Sequence, residues 1–253
     1  MTVGLLIGGR WDCPTAMAGK SSSLMDISAD GKLLVCTNRD NGTVSVIDLQ
    51  SHQKLREIPL GAKPEGVTFL GNSHLAAAAV YAEDKIVFFD ADSGKQLGAT
   101  EVFDEPYGIV SDSAGGKVFV TLDYPGQIVE IDVKSRKVTR TFPAGHFSRG
   151  LALSTDDRRL YVTEFYTGLV RAFDARSGKQ TDQWAGASTE NLARQIVLHP
   201  TRPKAYLPHI RSRVTAVHGE GSIFPYITVI DTDEKKRNVA ANGFRWTRSS
   251  TTW

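Results

Sequence analysis

A short apolar segment ending in aspartate returns along this chain at a fixed interval, and that interval limits the fold more than any other feature. The copies are Val44-Ser45-Val46-Ile47-Asp48, Ile86-Val87-Phe88-Phe89-Asp90, Ile128-Val129-Glu130-Ile131-Asp132, Val170-Arg171-Ala172-Phe173-Asp174 and Ile227-Thr228-Val229-Ile230-Asp231. The aspartates stand 42 residues apart three times (90−48, 132−90, 174−132) and 57 apart at the last step (231−174). The last unit therefore reads as the same repeat with 15 residues inserted (57−42). Self-similarity at such a period marks a repeat architecture.

Each unit carries further strand patterns. Upstream of the aspartate segment run Leu33 to Thr37, Leu75 to Ala79, Val118 to Thr121, Leu160 to Thr163 and Ala205 to Leu207. Before those come turn signals such as Ala29-Asp30-Gly31-Lys32, and then a strand opened by Pro64-Glu65-Gly66-Val67, Pro106-Tyr107-Gly108-Ile109, Ser148-Arg149-Gly150-Leu151 or Ala193-Arg194-Gln195-Ile196. After each aspartate a turn such as Asp92-Ser93-Gly94-Lys95 leads to a last strand, as in Val138-Thr139-Arg140-Thr141-Phe142. Four short strands per 42-residue unit, joined by Gly and Asp turns, form one small sheet. One such sheet cannot bury both faces alone, and radial stacking solves this. The expected fold is all-β: a β-propeller of about five four-stranded blades.

The Pro-x-Gly strand start, the Asp-Gly-Lys turn and the Val-Ile-Asp third strand resemble the YVTN-type β-propeller repeat family, over roughly residues 22–233. The segment from Leu192 to Asp231 resembles large bacterial propeller proteins that often continue into cytochrome-type domains. That resemblance implies a periplasmic or cell-surface setting. It also implies a wheel of seven or so blades, more than are written here. The expected organisation is a single propeller domain over 1–240, with blades at about 22–64, 65–106, 107–148, 149–193 and 194–240. Val3-Gly4-Leu5-Leu6-Ile7 resembles a fourth strand, and a strand at 3–7 would complete the last blade and close the ring. Dimerisation is the other route to closure. The tail, 241–253, fits no propeller strand and reads as a truncated or frame-shifted end.

Composition excludes some partners. The formal charge of +2 over 253 residues gives no reason to expect nucleic acid. No apolar run reaches the roughly 18 residues of a membrane span. The first residues lack the basic start and apolar centre of a signal peptide. Cys13 and Cys36 are too few for a disulfide framework, and Cys36 reads as a small buried hydrophobe. Without a CxxCH segment the chain carries no covalent haem.

Propellers bring two loop sets to one face: those entering the innermost strand and those joining the second and third strands. Here the sets supply Glu65, Tyr107, His146, Arg149 and Arg194, and Arg39, Tyr81, Asp123, Tyr124, Glu164, Tyr166 and His209. The insertion adds Arg211, Arg213 and His218. These positions vary between blades while the structural ones repeat, which is the signature of a ligand or protein-binding face, although exposed loops are polar in any case. Glu65, Tyr107, Tyr124, Glu164, Tyr166, Arg211 and Arg213 are the expected ligand contacts. The repeated aspartates read instead as turn caps.

Two functions compete. The first is a binding module recognising a small molecule or protein. The second is a metal-dependent hydrolase of lactones, esters or phosphoesters. In the latter, His146, His209 and His218, with Asp123 and Glu164, would hold one divalent ion (Zn²⁺, Mn²⁺ or Ca²⁺). A histidine of that set would act as base, and Arg149 or Arg194 would stabilise negative charge. No ligand spacing such as HxH supports the metal. A redox accessory role, implied only by the resemblance, ranks behind both.

Overall fold

The computed structural model describes residues 22–186, 190–214 and 221–233. Within them the chain forms five four-stranded antiparallel sheets arranged as a propeller. Blade 1 is β1 (Ser22–Ile27), β2 (Leu33–Asn38), β3 (Thr43–Asp48) and β4 (Gln53–Pro59). Blade 2 is β5 (Pro64–Phe69), β6 (Leu75–Val80), β7 (Lys85–Asp90) and β8 (Gln96–Glu101). Blade 3 is β9 (Pro106–Ser111), β10 (Lys117–Leu122), β11 (Gln127–Asp132) and β12 (Lys137–Pro143). Blade 4 is β13 (Ser148–Leu153), β14 (Arg159–Glu164), β15 (Val170–Asp174) and β16 (Gln180–Trp184). In these blades each strand pairs with the next in chain order.

Blade 5 departs from that plan. Its inner strand is two short pieces, β17 (Glu190–Asn191) and β18 (Val197–Leu198), both paired with β19 (Lys204–Val214). The fifteen inserted residues extend β19 and β20 (Gly221–Asp231) into a long hairpin whose register runs from Lys204–Asp231 to Val214–Gly221. The segments 3–7 and 241–253, Cys13 and His218 lie outside the described residues. Among the described residues no helix is long and apolar enough to cross a membrane.

Strand alternation divides each blade between its two neighbours. In blade 2, Ala76, Ala78, Val80, Val87 and Phe89 join Val35, Val44 and Val46 of blade 1. The intervening Ala77, Ala79, Ile86 and Phe88 join Val118, Val120 and Leu122 of blade 3. Phe119 and Ile128 then pack on Leu160 and Phe173, and Tyr161 and Ala172 pack on Ala205 and Leu207. Burying each such large side chain stabilises the fold by about 1.5–3 kcal/mol. Among the described residues these cores join successive blades, and none joins blade 5 back to blade 1. Accordingly β2 alternates between buried and half-buried residues, so Cys36 is half-buried rather than buried, whereas β6 is buried on both faces.

The repeated aspartates cap turns. Asp48, Asp90, Asp132 and Asp174 accept hydrogen bonds from Ser51, Ser93, Ser135 and Ser177, which hold their carboxyls below the usual range. His199 plays a similar part, its Nδ1 accepting from the backbone of Thr201 and Arg202 at 3.1 and 3.0 Å.

The Pro-x-Gly start has a packing reason. A Cβ on Gly66 would sit 2.3 Å from the Tyr107 carbonyl oxygen, and one on Gly108 would sit 2.1 Å from that of Arg149. Neighbouring inner strands therefore touch through missing side chains. A threonine spans the same gap: Thr37 Oγ1 donates to the Glu65 carbonyl at 2.6 Å, Thr121 Oγ1 to that of Arg149 at 2.9 Å, and Thr163 Oγ1 to that of Ala193 at 2.8 Å. Gly108→Ala should destabilise the protein by about 1–3 kcal/mol in chemical unfolding. Gly116→Ala, whose Cβ would meet nothing nearer than 3.8 Å, should stay within about 0.5 kcal/mol of the parent. Equal effects would show that the close approach does not hold the blades together.

Candidate functional site

Each complete inner strand carries a bulge at its loop-face end. Its ladder runs Ser22–Asn38 to Met25–Cys36 in blade 1, Pro64–Val80 to Val67–Ala78 in blade 2, Pro106–Leu122 to Ile109–Val120 in blade 3 and Ser148–Glu164 to Leu151–Val162 in blade 4. Two residues thus oppose one, and the first of the two is Ser23, Glu65, Tyr107 or Arg149. Arg194 holds the related place in blade 5. In blades 2 to 5 this residue is met by the one just past the second strand of the preceding blade. Arg39 Nε donates to Glu65 at 2.6 Å. The Tyr81 ring lies edge-on to Tyr107 at 6.2 Å. Arg149 donates from Nε and Nη2 to Asp123 Oδ2 at 2.8 and 2.7 Å. Arg194 stands 5.9 Å over the Phe165 ring. Every described junction between blades is closed here by a different pair.

These pairs converge on Tyr107. Its phenol is buried, beside Ser23 and Glu65, and Arg149 lies 4.8 Å over its ring. The same guanidinium lies 3.7 Å over Phe165. Burial pushes the Tyr107 phenol up, and Glu65 pushes further in the same direction, against the opposing charges of Arg194 and Arg149. Tyr81 is also raised, by burial and by its bond to Glu105. Burial works against the charge on Arg149, but Asp123 outweighs it and holds the guanidinium above its usual range. Glu65 does the same for Arg39, chiefly through their hydrogen bond. Asp123 is 1% exposed, and its Oδ1 has no hydrogen-bond partner among the described residues.

The outer surface of this end is aromatic. Phe103, Tyr124, Phe147 and Tyr166 are the exposed aromatic side chains among the described residues, and all four sit on loop-face turns. Phe147 meets Tyr166 edge-on at 4.9 Å, and Tyr166 meets Phe165 at 4.8 Å. Phe147 is held in the left-handed region at φ 52°, as are Lys63, Glu105 and Leu192 at the matching positions. The carbonyls of Lys63, Glu105 and Phe147 accept from the backbone N–H of Tyr81, Asp123 and Phe165, which fixes each turn.

The residues singled out from sequence fall in distinct places. Glu65, Tyr107, Arg149 and Asp123 come together at the hub, and Tyr124, Tyr166, His146 and Arg194 are exposed around it. Glu164 instead accepts from Arg171 at 2.6 Å and from Thr167 at 2.8 Å. His209 is buried between β19 and β20, with Nε2 2.7 Å from Thr228 Oγ1 and its ring stacked on Tyr226. Arg211 and Arg213 lie on β19, and their side chains, like His218, fall outside the described residues. Among the described residues no three His, Cys, Asp or Glu side chains form a metal-holding group. Sequence reasoning missed Phe103, Phe147 and Phe165. It also missed the pairing of the two loop sets, which a constant offset of 26 residues in Arg39–Glu65 and Asp123–Arg149 signals.

Two measurements probe the hub. Asp123→Asn leaves a largely buried guanidinium without its counter-charge and should cost about 3 kcal/mol, with Arg149→Met nearly silent in that background. Independent effects would mean the pair is not coupled. In an alkaline absorbance titration, Tyr81 and Tyr107 should ionise late. Their phenols are raised in the folded state, so the stability they contribute is present below about 10 and is lost as pH rises above it. The late component should shrink in Tyr81→Phe and Tyr107→Phe, and its persistence in both would place those phenols in water.

No family model matches the chain, and no curated protein matches it. Solved structures do. A chain of Kuenenia stuttgartiensis hydrazine synthase superposes with a TM-score of 0.76 at 17% identity, covering 90% of this chain and 67% of that one. A chain of a mitotic checkpoint complex superposes with a TM-score of 0.63 at 15% identity, covering 83% of this chain and 71% of that one. At these identities the likeness shows a shared β-propeller fold.

Proposed function

We propose that this chain is a YVTN-like propeller that serves as a binding module, recognising its partner through the loop face of blades 3 to 5. The observation that carries this reading is the concentration of exposed aromatic side chains on that face. Phe103, Tyr124, Phe147 and Tyr166 stand on the turns from the blade 2–3 connection to blade 4, at the same end as the buried charges of the hub, with His146 and Arg194 also exposed there. Rings with a polar rim are the usual anchors of protein and peptide recognition, because a rigid ring contributes area with little entropy loss. The hub beneath, closed by Asp123–Arg149 and Glu65–Arg39, gives the rings a stiff base. That a similar propeller chain comes from a multi-protein complex supports partner binding. The carboxylates considered for a metal, Asp123 and Glu164, are each engaged by a guanidinium, so no observation favours the hydrolase alternative.

The test is a peptide-display selection on the full chain, followed by binding measurements on the selected sequences. Replacing Tyr124, Phe147 and Tyr166 together with Ser should weaken the selected ligands by about a hundredfold, that is about 2.7 kcal/mol, without changing the thermal midpoint by more than a few degrees. Ligands that bind the triple variant as tightly as the parent would place recognition elsewhere on the wheel.

A further inference from the structure

The succession of pairs at the hub changes character at its last described junction. Asp123 gives Arg149 a carboxylate, but the matching residue one blade on is Phe165, so Arg194 stands over a ring there instead. Arg194 is exposed, and among the described residues no carboxylate pairs with it.

The same blade opens a mainly apolar recess that Arg194 helps to line. The register Arg159–Asp174 in blade 4 corresponds to Lys204–Asp231 in blade 5, which puts Pro208 where Thr163 stands. Thr163 Oγ1 closes the blade 4 bulge by accepting from the Gly150 N–H at 2.9 Å. Proline has no hydroxyl for that bond and no N–H for the ladder. The inner strand accordingly leaves β19 after the Asn191–Ile210 pair and returns only at Val197–Tyr206, so that 192–196 stand away from it. The resulting space, about 390 Å³, is lined by Leu24 of blade 1 and by Leu192, Pro208 and Ile210 of blade 5, with Arg194 and Gln195 as polar members. The His209 imidazole at its wall is already bonded to Thr228.

We propose that this cavity binds a carboxylate attached to an apolar chain. The chain lies among Leu24, Leu192, Pro208 and Ile210, and the carboxylate meets the Arg194 guanidinium, with the Gln195 amide as a second donor. The volume is within the range of small-ligand sites, and a guanidinium paired with a carboxylate beside an apolar wall gives both affinity and orientation. The assignment rests on the loop face being the binding surface and names the ligand chemistry it takes. Two sources share that chemistry: a free aliphatic acid, and a peptide ending in an apolar residue.

Calorimetric titration of the full chain separates them. The probes are hexanoate, octanoate and decanoate, the primary alcohols of the same lengths, and a short peptide ending in Leu with its C-terminus free or amidated. The acids or the free peptide should bind, with affinity rising about fourfold per methylene along the acid series until the cavity is full. The alcohols, or the amidated peptide, should bind about tenfold more weakly, and Arg194→Gln should remove that difference while leaving thermal stability unchanged. Binding confined to the acids assigns a free acid, and binding confined to the free peptide assigns a chain terminus. Alcohols equal to acids, an Arg194→Gln variant equal to the parent, or no binding of any probe would overturn the proposal. Selected peptides that are lost in the aromatic triple variant but kept in Arg194→Gln would leave the binding-face reading standing without this site.

Discussion

The wheel depends on the contact between adjacent inner strands. A Cβ at Gly108 would stand 2.1 Å from the Arg149 carbonyl oxygen, so only glycine lets the two backbones approach so closely. Once they do, the carbonyls that face across the gap need donors, and Thr37, Thr121 and Thr163 supply them. The apolar rows outward of this contact then fall into register without further instruction. Ala76, Ala78 and Val80 answer to blade 1, and Ala77 and Ala79 answer to blade 3. Blade 2 has Ala79 where blades 1, 3 and 4 have the bridging threonine, and its junction rests on the glycine and on packing instead.

The close approach also creates the hub. A strand that must clear its neighbour bulges, and the bulge turns one side chain toward the centre. The backbone dictates the place of Ser23, Glu65, Tyr107 and Arg149 but not their chemistry. The wheel uses that freedom to make each junction unlike the next: Arg39 with Glu65, two tyrosines, Asp123 with Arg149, and a ring under Arg194. Buried charge here is paired, Asp123 with Arg149 and Glu65 with Arg39, which keeps its desolvation tolerable.

Much of the fold was legible because the repeat leaves so little choice. The 42-residue spacing, the alternating apolar residues and the Asp-Ser turn caps each name a strand or its end, and the strands of blades 1 to 4 lie where the pattern puts them. Blade 5 was read less well. Its inner strand has ordinary β-propensity on paper, but Pro208 on the facing strand withholds both the ladder donor and the threonine hydroxyl, and the strand breaks into β17 and β18. The site was half legible. Glu65, Tyr107, Arg149 and Asp123 could be placed on one face from the register alone. That Arg149 belongs to Asp123, and that Glu164 belongs to Arg171, depends on side-chain reach between different strands, which period and composition do not encode. The exposure of Phe147 is not legible in the repeat, because it depends on the left-handed turn that carries the ring.

That turn has a wider implication. Lys63, Glu105, Phe147 and Leu192 occupy a backbone shape in which glycine would rest without strain, and each departure from glycine costs about 1 kcal/mol. Relief was one substitution away at every one of these places, yet four different side chains hold them. The glycines of the inner strands answer to a different demand, the close approach at Gly66, Gly108 and Gly150. The cost is offset at least in part within the wheel itself: Glu105 bonds Tyr81, and Leu192 lines the recess beside the broken inner strand of blade 5, so a strained turn here is a means of aiming a side chain.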